Sequence, residues 1–234
     1  RLVMASLDQD RVAHLLPGPS SSIPTREQRE IVWETAIHWA HAVGTLAIHI
    51  HGLTEAEDEN CLASLGYPVT ITLTSGQALT LTKDVIIAGP GADKVAVSGN
   101  AATRVLVVNS GVNATLDGLT IRDGKTTGAS YGAGIHNSGI LTLTKSTLTG
   151  HNAQFTGGAI YSSGALNIIS STITANNAGF WGSGIVNNGV ASLTGVLLEN
   201  NIGMNDGGAV FNDSSGTLTV ERSTLRANTS SGAG

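Results

Sequence analysis

Four consecutive stretches decide the fold. They are GAGIHNSGILTLTKSTLTGHNAQFT (132–156), GGAIYSSGALNIISSTITANNAGFW (157–181), GSGIVNNGVASLTGVLLENNIGMND (182–206) and GGAVFNDSSGTLTVERSTLRANTSS (207–231). Each begins 25 residues after the last. Ile135, Ile160, Ile185 and Val210 share one column. Leu143, Ile168, Leu193 and Val220 share a second, and Leu148, Ile173, Leu198 and Leu225 a third. Asn137, Asn187 and Asn212 fill a turn column, with Ser162 replacing Asn once.

Within a copy the apolar period is two. Leu141, Leu143 and Leu148 alternate with Thr142, Thr144, Thr147 and Thr149, the pattern of a strand with one buried face. The runs are short and bounded by Gly, Asn or Ser-Gly turns. One copy cannot bury its own apolar face, but stacked copies can, with like residues about 4.8 Å apart. Each fully buried aliphatic then contributes roughly 1.5–3 kcal/mol. The unit is too short for a propeller blade of about 40–45 residues, and it lacks the strand-plus-helix pattern of leucine-rich repeats. It fits one coil of a parallel β-helix with three short strands per turn. Asn in a fixed turn column predicts an amide ladder along the axis.

The same grammar extends upstream. LTLTKDVIIAG (79–89) and TLDGLTIRDG (115–124) resemble LTLTKSTLTG (141–150). Residues 69–234 therefore read as six or seven copies of one unit. The expected fold class is all-β: a parallel β-helix of about 25-residue coils with a small α/β or helical N-terminal cap. Residues 1–24 read as an irregular or linker segment, on the Pro/Ser-rich LPGPSSSIP (16–24). Residues 25–68 read as the cap: a helix over 25–43, a strand around Leu46, Ile48 and Ile50, and a short acidic helix from Thr54 to Leu65.

Composition agrees and excludes other classes. Charged residues are 12% of the chain, about half the usual share of about 25%. Glycine is abundant and aromatics are few, so the core is built from small aliphatics. Twelve Lys+Arg against 17 Asp+Glu give a net charge of −5, which supplies no basic face for nucleic acid. A single cysteine, Cys61, rules out an intrachain disulfide framework. No apolar run reaches the length of a membrane-spanning helix.

GGAI (157–160) and GGAV (207–210), each followed later by ITAN (173–176) or LRAN (225–228), resemble the repeats of polymorphic outer membrane proteins. More broadly, residues 69–234 look like the right-handed parallel β-helix proteins of bacterial surfaces, which share the pectate-lyase-like fold. KDVIIAGPGADKVAVSGN (83–100) is similar to the opening segment of many of them. The resemblance implies a secreted or cell-surface location. It leaves function open, because this fold hosts adhesins, autotransporter passengers, lyases and hydrolases.

Lyases or hydrolases on this fold imply clustered carboxylates, and no column of Asp or Glu runs through adjacent coils. Asp117, Arg122, Asp123 and Lys125 form the densest ionic patch, a calcium or sugar site on one reading and a solvated turn on the other. His38, His41, His49 and His51 are four imidazoles within 14 residues and are candidate metal ligands, against the plainer reading of polar cap positions. No cofactor is implied. The many outward Thr side chains make an interrupted hydroxyl face, explained equally by β propensity. Tyr161, Trp181 and Phe211, with Phe155 and Phe180, form a candidate contact strip beside the Gly turns that could stack on sugars or dock a partner.

The expected function is a secreted or cell-surface structural or adhesion protein without catalysis, with glycans or other surface proteins as partners. The alternatives are a carbohydrate-active β-helix enzyme or its remnant, and a filament subunit that stacks head to tail. The ends at Arg1 and Gly234 favour truncation of a longer surface protein over the filament.

Overall fold

A computed structural model describes residues 3–7, 12–16, 47–49 and 69–232. These residues form a parallel β-solenoid of about six turns, about 26 residues per turn. Among them there is no helix.

The coil beginning at Ile135 shows how the sequence builds a turn. Ile135–Asn137, Ile140–Thr144, Thr147–Thr149 and Asn152–Ala153 are its strands. The spacing predicts three strands per coil, and the structure has four. The fourth is two residues long with one inward side chain, Ala153, too small and too brief to register as a period-two run. Each strand stacks in register on its counterparts, so four sheets of nine, seven, six and five strands run along the axis. The longest follows the order Val3–Leu7, Val12–Leu16, Ala47–His49, Val85–Ala88, Asn113–Asp117, Ile140–Thr144, Ala165–Ile169, Val190–Thr194 and Thr217–Glu221.

Ile135 pairs with Ile160, Ile160 with Ile185, and Ile185 with Val210. Leu148, Ile173, Leu198 and Leu225 pair in the same way. Ile135, Ile160, Ile185, Leu148, Ile173 and Leu198 are fully buried. The inward residues of the last coil, Val220 and Leu225, are 42% and 48% exposed.

Two polar columns run inside the corners. Asn137 Nδ2 donates to Ser162 Oγ at 2.9 Å, and Asn187 Nδ2 donates to Asn212 Oδ1 at 2.7 Å. A second ladder joins Asn176, Asn201 and Asn228: Asn176 Nδ2 donates to Asn201 Oδ1 at 2.9 Å, and Asn201 Nδ2 donates to Asn228 Oδ1 at 2.8 Å. Every amide also bonds backbone, so these buried groups are satisfied. Next to the first ladder the coils approach too closely for a side chain. A Cβ at Gly164 would lie 2.0 Å from the Gly139 carbonyl oxygen, and one at Gly189 2.1 Å from that of Gly164.

The first segment departs from the sequence reading. Val3–Leu7 and Val12–Leu16 pair antiparallel as a hairpin instead of irregular chain. VMASL and VAHLL are apolar five-residue strands, and the edge of the long sheet gives them a partner. Val12–His14 pairs with Ala47–His49, which in turn pairs with Ile86–Ala88 of the solenoid. The expected helices over 25–43 and 54–65 lie outside the described residues.

Candidate functional site

The corner between the two-residue strands and the next coil carries rings. It is built by turns whose glycines take positive φ, +67° at Gly132, +70° at Gly157 and +56° at Gly182. A side chain there would also collide with backbone: a Cβ at Gly132 would lie 2.3 Å from the Ile135 carbonyl oxygen. These glycines therefore fold the backbone tightly and leave the flanking rings to form the outer surface.

Tyr131 packs against Tyr161 at 4.7 Å between centroids and edge-on against Phe155 at 5.7 Å. Phe155 meets Phe180 at 5.0 Å, Phe180 meets Trp181 at 5.9 Å, and Trp181 stacks on Phe211 at 5.2 Å with 12° between planes. The result is one continuous strip of six rings over four successive coils. Tyr131, Phe180 and Trp181 are 36%, 41% and 36% exposed. The chain has only three each of Phe, Tyr and Trp, so placing all three Phe, two Tyr and one Trp on one corner is a strong concentration.

The strip has a polar margin. His136 lies edge-on to Tyr161 at 5.2 Å. Burial, and secondarily the charge of Arg104, holds its pKa below the usual histidine value, so the ring is neutral. Burial first, then Tyr131 and Asp213, pushes the Tyr161 phenol up, so its hydroxyl keeps its proton and can donate. Asn188 Nδ2 approaches that hydroxyl at 3.4 Å. Arg104 is committed: Nε donates to the Gly132 carbonyl at 2.8 Å and Nη2 to that of Tyr131 at 2.6 Å. Sequence spacing brings out Tyr161, Trp181, Phe211, Phe155 and Phe180, and misses Tyr131, His136 and Arg104.

The ionic patch is drawn into structure. Thr144 Oγ1 donates to Asp117 Oδ1, and Ser98 Oγ donates to Asp123 Oδ2 at 3.1 Å. Arg122 Nη2 donates to Thr70 Oγ1 at 2.9 Å, and its Nε lies 3.5 Å from Asp123. Lys125 is exposed on the neighbouring strand. His38, His41 and His51 lie outside the described residues, and His49 is described only as a strand residue that pairs with Ala88 and His14. Among the described residues, no group of three or more His, Cys, Asp or Glu side chains is placed to hold a metal ion.

His151 occupies the position of the buried Asn ladder one coil earlier and imitates an amide. Its Nδ1 accepts from the Gly124 N–H at 2.9 Å and its Nε2 donates to the Ile121 carbonyl at 3.0 Å. These partners fix a neutral ring protonated on Nε2. Burial drives its pKa down from 6.5 to about 3, opposed in part by the bond to Ile121.

No protein-family model matches the chain, and neither a curated protein nor a solved structure matches it. Among the described residues no helix is long and apolar enough to cross a membrane.

Proposed function

We propose that this chain is a non-catalytic contact module of a secreted or cell-surface protein, adhering to glycans through the aromatic strip. The observation that carries the reading is the six-ring strip itself. In a monomeric surface, rings this exposed and this contiguous are costly unless something covers them. Partly exposed rings bordered by hydroxyl, amide and imidazole groups offer an apolar surface with a polar margin, which suits the apolar C–H patches and hydroxyls of a sugar. The likeness of GGAI and GGAV to polymorphic outer membrane protein repeats, and of residues 69–234 to pectate-lyase-like surface proteins, supports the bacterial cell-surface setting. The enzyme alternative would draw on Asp117 and Asp123, whose carboxylates already accept hydrogen bonds from Thr144 and Ser98.

A glycan array read with the wild-type chain and with the Phe180→Ala/Trp181→Ala double variant tests this. The expected result is a discrete set of glycans bound by the wild type and lost in the variant. Calcium-dependent release of unsaturated uronides from polygalacturonate by the wild type would contradict it.

A further inference from the structure

We infer that Arg104 is a positioning residue of the ring surface: its guanidinium replaces a missing pair of backbone N–H groups and so fixes Tyr131 over Tyr161. The consequence for binding rests on the adhesion reading above; the positioning itself does not.

The later corners show what the first one lacks. There, a pair of carbonyls receives a pair of amides from the coil before. The Thr156 and Gly157 carbonyls accept from the Gly132 and Ala133 N–H groups, each at 3.0 Å. Those of Trp181 and Gly182 accept from the Gly157 and Gly158 N–H groups at 3.0 and 3.2 Å. The same pair in the first corner is Tyr131 and Gly132. Among the described residues the short sheet starts just before it, at Lys125–Thr126, so no earlier corner of this kind supplies the amides.

Arg104 fills both places. Its Nη2 donates to the Tyr131 carbonyl at 2.6 Å and its Nε to that of Gly132 at 2.8 Å. A planar guanidinium presents two N–H groups in a fixed fork, which suits two adjacent carbonyls and which an ammonium does not reproduce. In register, the following coils put Ala133, Gly158, Ser183 and Gly208 where this coil has Arg104. All four are small, in coils whose own backbone reaches the next corner.

This corner also has more chain to hold. Five residues, 127–131, separate Thr126 from Gly132, whereas three separate Ala153 from Gly157 and three separate Ala178 from Gly182. The longer segment has more conformations to lose on ordering. Gly128 and Ala129 are exposed, and the Gly128 N–H donates to Gln154 Oε1 at 2.6 Å. Tyr131 closes the segment, its ring 4.7 Å from that of Tyr161 and edge-on to Phe155. Arg104 holds the carbonyl of that same residue, so the guanidinium sets where the ring lies. A ring fixed before a ligand arrives loses less freedom on binding than one ordered only then.

The test compares the full wild-type chain with Arg104→Met, and with Arg104→Lys, which keeps the charge and loses the fork. Circular dichroism melting checks that each is folded; if Arg104→Met is not, Arg104→Lys carries the same readouts. Nitration by tetranitromethane, resolved for each tyrosine by peptide mass, reads the ring positions, and a glycan array reads binding. Arg104→Met should nitrate at least about threefold faster than wild type at Tyr131 and Tyr161, with Arg104→Lys in between. Array signals that fall in Tyr131→Ala should fall about two- to tenfold in Arg104→Met. Nitration of both tyrosines at the wild-type rate in the folded variants would overturn the positioning role. Faster nitration with every wild-type array signal retained would overturn its part in binding. Faster nitration of a chain whose wild type binds no glycan would overturn the adhesion reading and leave the positioning of Tyr131 standing.

Discussion

His151 makes the solenoid acid-sensitive at one known place. The ring is neutral because its Nδ1 must accept from Gly124 while its Nε2 donates to Ile121. Protonating Nδ1 would set two N–H groups against each other in a fully buried site. A histidine whose folded pKa lies below its unfolded value stabilises the fold fully above the unfolded value, here 6.5. That stability is lost as pH falls from 6.5 toward about 3 and is constant below it. The full span corresponds to a loss on the order of 5 kcal/mol, and at pH 5 the loss is about 2 kcal/mol. His151→Asn puts an amide where the next three coils already carry one, so it keeps an acceptor and a donor and removes the titration. It also leaves space where the ring was, so it starts about 1 kcal/mol less stable at pH 7. The assay is urea unfolding of wild type and His151→Asn at pH 7 and pH 5, followed by far-ultraviolet circular dichroism. Titrations common to both chains cancel in the comparison. The wild type should lose about 2 kcal/mol more than the variant over this interval. Equal losses in the two chains would refute the reasoning, as would fast hydrogen exchange of the Gly124 amide at pH 7.

Further outcomes follow from the columns. Ile160→Asp places an unpaired carboxylate between Ile135 and Ile185 and should abolish cooperative melting, whereas Thr147→Asp on the outer face should shift it by less than about 0.5 kcal/mol. Asn201→Ala leaves the Asn176 N–H and the Ile173 carbonyl without their partners and should cost about 2–4 kcal/mol by urea unfolding. Gly164→Ala should cost at least about 3 kcal/mol, because its Cβ would sit 2.0 Å from the backbone oxygen of Gly139.

The architecture was legible because it is written several times over. Ile135, Ile160, Ile185 and Val210 stand at a constant interval, and one aliphatic stacking on another is what the period-two pattern demands. The short fourth strand was not legible, since Asn152–Ala153 offers a single small inward residue. The strip was half legible. Phe155 and Phe180 share a column, but Trp181, Tyr161 and Phe211 come from two others, and only the bend at Gly157 and Gly182 brings them together. Tyr131 was missed because no aromatic stands at its isolated-bridge partner, Thr156. His151 falls in an asparagine column, yet its equivalence to an amide depends on where two ring nitrogens point, which spacing does not encode. Arg104 is far from the strip in sequence and reaches it only through the carbonyls of Tyr131 and Gly132.

The central claim is that the six-ring corner is a glycan contact surface, and a crystal structure of the chain with the glycan it binds most tightly tests it most directly. The account predicts sugar packed against Phe180, Trp181 and their neighbours, with hydroxyls near Tyr161 and Asn188. Sugar bound instead at the Asp117–Asp123 turn, or on the outer threonine face, with the aromatic corner bare, would contradict it.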